Sequence, residues 1–282
     1  MAISLFDRFI AAAALLCAVF LSGCQTAGVS KAVASARITG ASVQALSLQK
    51  VDLLFDVEIT NPSEADLPLR DLSYKIAAEG QVLIEDHVAP NAIIPANGRG
   101  TIQVPASIRY AAVLGILKNV RPGSVLAYTA DIMVGTDAPL LGAVRVPISY
   151  RGELPIPAVP DVRLVGFDVD ALSFDRVAAS LRLHIRNNNE FDIDLERLGL
   201  KLALGGKSIG DTTQPQSLKL RPGEAVVVSI PIAFSPRSLG IGAFNVLIGR
   251  EAPYGVVGSV DVETRFGMLT LPFNEKGYTP IY

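Results

Sequence analysis

A chain that can be laid over itself must fold as a repeat. Here a displacement of 126 positions sets residues 47–108 on 173–234 without a gap, with twelve identities in 62 positions. Ser47 meets Ser173, Val51 meets Val177, Ile59 meets Ile185 and Asn61 meets Asn187. Glu64, Asp66, Leu69, Leu72, Lys75, Ala77, Gly80 and Pro105 meet identical residues at 190, 192, 195, 198, 201, 203, 206 and 231. After a small change of offset, Gly142 and Pro147 meet Gly267 and Pro272. The period gives two copies of one unit, the first over 37–153 and the second over 161–280. Between them, Leu154-Pro155-Ile156-Pro157-Ala158-Val159-Pro160 reads as a linker over 154–160, which its alternate prolines keep extended.

Hydrophobicity within each copy alternates with period 2. Val51, Leu53, Phe55, Val57 and Ile59 fall on one phase, as do Val177, Ala179, Leu181, Leu183 and Ile185. That pattern sends one face of a strand inward and the other to water. Further strands are expected over 67–76 and 193–202, 102–108 and 228–234, 126–134 and 256–264, and 143–150 and 268–274. The change of phase between Leu69 and Leu72 predicts a bulge or a bend. Turn residues separate these runs at Ala96-Asn97-Gly98, Gly205-Gly206 and Pro222-Gly223-Glu224. The exceptions are 111–120 and 239–249, each fit for a short helix or a turn. The expectation is an all-β protein made of two tandem antiparallel β-sandwiches, each with a short helix.

Composition agrees and excludes much else. Half the residues are hydrophobic and 18% are charged, so the chain is not disordered. Its 25 basic and 27 acidic side chains leave no electrostatic footprint for nucleic acid. Two Cys and two His provide neither a disulfide framework nor a His-rich metal site.

The N-terminus carries targeting information. An apolar run from Phe9 to Leu21 is too short to span a bilayer but suits a leader. It ends in Leu21-Ser22-Gly23-Cys24, which resembles the bacterial lipobox. The other reading is an ordinary leader with an incidental cysteine. The resemblance implies that residues 1–23 are removed, that Cys24 is acylated, and that residues 24–36 form a tether. Each buried acyl CH₂ contributes ~0.8 kcal/mol, and stable anchoring needs more than one chain. Gln25 in place of Asp implies sorting to the outer membrane, on its periplasmic face.

Both copies place an asparagine turn after the strand: Asn61-Pro62-Ser63 and Asn187-Asn188-Asn189, each followed by Glu. Asn tolerates left-handed backbone and caps turns, and Pro62 fixes φ. A strand, an Asn-Pro-type turn and a Leu-x-x-Leu/Tyr-x-hydrophobic strand resemble the WHy domain of late embryogenesis abundant group 2 proteins. The resemblance spans nearly all of both units, including the closing Gly-x-x-x-hydrophobic-Pro. It departs at Ser63 and at Asn188, where the family pattern is Asn-Pro-Asn. It implies a two-sheet sandwich like a fibronectin type III domain, protection during desiccation, cold or freezing, and no enzyme activity.

Nothing in the sequence has the form of a catalytic motif. His184 falls on the polar phase of its strand beside Arg182 and Arg186, and His87 follows Glu85-Asp86 in an expected loop. Asp52, Asp56 and Glu58 share an outer face and read as solubilising charges. No cofactor is expected. The expected partners are a membrane, through Cys24, and protein clients or lipid. The leading reading is a non-enzymatic, lipid-anchored envelope protein that protects proteins or membrane during water stress. The alternative is an envelope binding or assembly module that holds a lipid or protein partner.

Overall fold

The structure, a computed structural model, describes residues 34–138, 142–173, 175–235 and 251–282. The expected leader, Cys24, and the segment 239–249 lie outside the described residues.

The alternating segments form strands whose inward phase is buried almost completely. In β2 (Lys50–Thr60), Val51, Leu53, Phe55, Val57 and Ile59 are at most 3% exposed. Their counterparts in β10 (Val177–Arg186) are at most 1% exposed. A fully buried aliphatic or aromatic side chain contributes ~1.5–3 kcal/mol, so these two strands alone anchor two interiors.

The first repeat adds β1 (Ser35–Leu46), β3 (Leu67–Ala78), β4 (Gln81–Val88), β5 (Ile93–Ile94), β6 (Arg99–Arg109), α1 (Tyr110–Ile116), β7 (Val125–Ala138) and β8 (Gly142–Pro155). One antiparallel sheet runs β1-β2-β6; the other runs β4-β3-β7-β8, with β5 beside β3. The second repeat contains β9 (Asp161–Leu172), β11 (Ile193–Leu204), β12 (Lys207–Leu220), β13 (Ala225–Phe234), β14 (Glu251–Thr264) and β15 (Gly267–Pro280). Its sheets run β13-β10-β9 and β12-β11-β14-β15. Buried side chains form two clusters, one from Val51 to Ile156 and one from Val162 to Phe273. Both repeats belong to one compact unit, Ala34–Tyr282.

Local backbone repeats as the sequence does. The β3–β4 hairpin turns at Glu79 (φ 48°) and Gly80 (φ 76°); the β11–β12 hairpin turns at Gly205 (φ 57°) and Gly206 (φ 79°). Two consecutive left-handed residues make the turn that matches strand twist. Asn97 (φ 52°) and Gly223 (φ 73°) also correspond. The expected bulge is present: register shifts between Leu69 and Asp71 and again between Leu195 and Arg197.

Several features differ from expectation. The strands β1, β4, β9 and β12 fall where the alternation gave no strand. His87, expected in a loop, lies on β4. The helix expected near 111–120 is the short, roughly two-turn α1, which buries Tyr110 and Val113. β8 continues to Pro155, and Leu154 and Ile156 are buried in the first cluster at 0% and 1% exposure.

Candidate functional site

The asparagine turns stand where the chain crosses from one sheet to the other, β2 to β3 in the first repeat and β10 to β11 in the second. Asn61 is 1% exposed and Asn187 is fully buried. A buried amide must find partners inside the protein. Asn61 Nδ2 donates to the carbonyls of Ala65 (2.8 Å), Ile94 (3.1 Å) and Pro95 (3.0 Å). Asn187 Nδ2 donates to those of Phe191 (2.9 Å), Leu220 (3.1 Å) and Arg221 (3.2 Å). Each acceptor in the second set lies 126 positions beyond its counterpart in the first.

The side-chain oxygens are used as well. Asn61 Oδ1 accepts from the Ser63 backbone N–H (3.1 Å) and Ser63 Oγ (2.8 Å). Asn187 Oδ1 accepts from the Asn189 backbone N–H (2.9 Å) and Asn189 Nδ2 (3.0 Å). The backbone N–H groups of Asn61 and Asn187 donate to Gly98 and Glu224 carbonyls, both at 2.9 Å. Each amide therefore pins its own sheet crossing to the segment that enters β6 or β13, and has no donor left for a ligand.

The other turn residues diverge. Pro62 offers no donor, and Ser63 Oγ also reaches back to the Ala65 carbonyl (2.7 Å). In the second repeat, Asn188 Nδ2 donates to the Val159 carbonyl (3.1 Å). Asn189 accepts from the Ala158 N–H (2.8 Å) and donates to the Ala158 carbonyl (3.3 Å). These contacts with the connecting segment carry no sequence signal, because their partners are backbone atoms.

The remaining candidates stay apart. His184 is half-buried on β10, and His87 is exposed on β4. Asp52 accepts from Lys50 Nζ and Ser107 Oγ, Asp56 from Gln103, and Glu58 from Arg37. The hydrogen bonds from Lys50 and Ser107 hold the Asp52 carboxyl below its ordinary range. Among the described residues, no three His, Cys, Asp or Glu side chains gather as metal ligands. Among them, too, no helix is long and apolar enough to cross a membrane.

A groove of about 640 Å³ opens in the first repeat between β4 and β6. Tyr74, Ile84, Ala106, Ile108 and Ala112 line it, with Asp52, Asp86 and Arg109 as charged members. The Tyr110 hydroxyl on α1 is buried and has no hydrogen-bond partner among the described residues. Burial raises its pKa strongly, and the charge of Asp52 adds to the shift.

The family described as late embryogenesis abundant protein (LEA_2) matches residues 56–152 and 182–277, one match per repeat. A desiccation-related protein of Craterostigma plantagineum is 21% identical over 139 residues, which is 48% of this chain and 92% of that protein. A desiccation protectant protein Lea14 homolog of Glycine max is 21% identical over 127 residues, 45% of this chain and 84% of that protein. A solution structure from Arabidopsis thaliana aligns at TM-score 0.37 and 21% identity, covering 45% of this chain and 83% of that one.

Proposed function

The chain belongs to the late embryogenesis abundant protein family, and from that premise we propose that it is a non-enzymatic, lipid-anchored envelope protein protecting proteins or membrane during water stress. In this reading each repeat is a WHy domain, Cys24 carries the acyl anchor, and the protein stands on the periplasmic face of the outer membrane. The observation that carries the reading is the family match in both repeats, beside relatives named for desiccation.

The physical basis is a pair of buried turn amides that are satisfied without water. Asn61 and Asn187 spend their amides on protein carbonyls, so drying removes no partner from them. Outer faces carry ion pairs such as Arg37–Glu58 (2.8 Å) and Lys50–Asp52 (2.7 Å). Exposed pairs contribute little in water, but their attraction grows as the surrounding dielectric falls. A body of this kind keeps its shape while neighbouring proteins lose hydration, and it keeps them apart by weak contact at many points.

The test compares survival of drying by a deletion strain and its complemented parent. In parallel, the purified protein is mixed with a labile enzyme through freeze–thaw cycles. Protection is expected in both; no difference in either removes the reading.

A second reading, an envelope module that holds lipid or a protein partner, is favoured by the groove between β4 and β6. Native mass spectrometry of the protein released gently from membranes distinguishes the two, since only this reading expects a stoichiometric adduct.

A further inference from the structure

We propose that the asparagine turn of the second repeat is a joint locking the two repeats into one rigid body, a role for which the turn of the first repeat lacks the groups. Corresponding turns in the two copies share the same side-chain bonding at Asn61 and Asn187. The two residues that follow differ, and that difference decides whether the turn reaches outward.

In the connecting segment, Pro155, Pro157 and Pro160 have no N–H to give. The N–H groups of Ile156 and Ala158, which stand between them, go to different repeats. Ile156 N–H donates to the Ser124 carbonyl of the first repeat (2.9 Å). Ala158 N–H donates to Asn189 Oδ1 of the second (2.8 Å). The carbonyls of Ala158 and Val159 accept from Asn189 and Asn188 side chains. Asn189 is 2% exposed, so its two bonds to Ala158 are partly sheltered from water, whereas the Asn188–Val159 bond is exposed.

A direct bond between the repeats completes the joint. Glu190 N–H donates to the Gly123 carbonyl (2.6 Å), while Gly123 N–H donates to the Ile156 carbonyl (2.6 Å). Gly123 has φ 97°, and a Cβ there would overlap the Asn188 carbonyl oxygen. Leu46, Leu48 and Val125 of the first repeat also pack on the core of the second. Arg265 pairs with Glu153 across the same boundary (2.7 Å), though both side chains are more than half exposed. Hydrogen bonds to backbone, close approach at a glycine and apolar packing together fix both distance and angle, which the exposed ion pair alone does not.

The first repeat has Pro62 and Ser63 at the two outward positions. Pro62 has no polar side-chain atom, and Ser63 Oγ is turned inward to Asn61 and Ala65. The departure of each copy from Asn-Pro-Asn thus follows its place in the chain: the inner turn joins and the outer turn closes on itself.

The test uses the full chain in detergent. Hydrogen exchange is followed at Ala158 and Glu190 in the parent and in the double variant Asn188→Ala/Asn189→Ser. Exchange at Ala158 is expected to rise about tenfold or more, the loss of roughly one hydrogen bond, while β10 and β11 stay protected. Spin labels at Arg145→Cys and Lys201→Cys, in a background with Cys17 and Cys24 replaced by Ser, are expected to give one narrow distance distribution that broadens in the double variant. A broad distribution in the parent, or unchanged exchange at Ala158 in a folded double variant, overturns the proposal. Should the double variant fail to fold, Gly123→Ala attacks the joint from the other repeat, and a distribution as narrow as the parent's then overturns it.

Discussion

Tyr128 lies directly across the β7–β8 ladder from Gly152, so close that a Cβ on the glycine would come within 2.7 Å of the ring. The second repeat reproduces the pair: Tyr254 faces Gly277 across β14–β15, with the corresponding distance 3.0 Å. A strand glycine opposite an aromatic ring lets the ring cover the backbone where a side chain would otherwise stand. Tyr128 is also one of three rings in contact, at 6.4 Å from both Phe55 and Tyr150.

This pair sets a graded prediction. Gly152→Ala should destabilise the protein by about 1–3 kcal/mol, because the Tyr128 ring is held on both sides. Gly277→Ala should cost less, since its ring has more room. Urea unfolding of both variants checks the order; an equal or reversed cost contradicts the account.

Asn61→Ala and Asn187→Ala each strand three carbonyls and a turn N–H. A cost of about 3 kcal/mol or more is expected for either, measured by denaturant unfolding. Aspartate should be worse than alanine at both sites at neutral pH. It replaces the donor by a carboxylate facing three carbonyl oxygens, and the defect should ease as acid protonates it.

Alkaline stability should follow the buried phenols. Burial first, then the neighbouring Tyr150, pushes Tyr128 up to about 12. Below pH ~10 both folded and unfolded chains keep this proton. Above it, the unfolded chain ionises first, so stability falls as pH rises from ~10 toward 12. Tyrosinate absorbance should rise in at least two stages, with Tyr128 and Tyr110 late, and Tyr128→Phe should flatten part of the loss.

Asp52 works in the opposite direction. Its carboxyl is held below its ordinary value of 3.8 by Lys50 and Ser107. Its contribution is therefore complete above that value and lost as pH falls through the lower folded value. Asp52→Asn should leave a smaller acid-induced loss of stability than the parent, seen as a flatter stability curve between pH ~5 and 2.

Cys24→Ser tests the anchor. The parent should incorporate labelled fatty acid and fractionate with membranes, and the variant should do neither. Membrane association of the unlabelled variant counts against acylation as the anchor.

The alternation of β2 and β10, the phase change near Leu69 and the duplicated turn residues made the strands, the bulge and the repeat legible before any coordinates. Two edge strands, β1 and β12, escaped for a physical reason. β1 has no fully buried residue, and most of β12 alternates only between exposed and half-buried positions. Such segments show little hydrophobic contrast and become strands because a neighbour offers backbone partners.

The asparagines divide along the same line. That Asn61 and Asn187 sit in turns could be read from residue type and spacing. Asn61 finds two of its acceptors at Ile94 and Pro95, and the Asn189 side chain finds Ala158, each more than thirty positions away. Main-chain carbonyls and amides look alike at every residue, so no side-chain pattern marks them as partners. Local sequence fixed which face of each strand is greasy and where the chain must bend; only the tertiary fold chose which distant backbone atoms meet the buried amides, and so which of two similar turns became a joint.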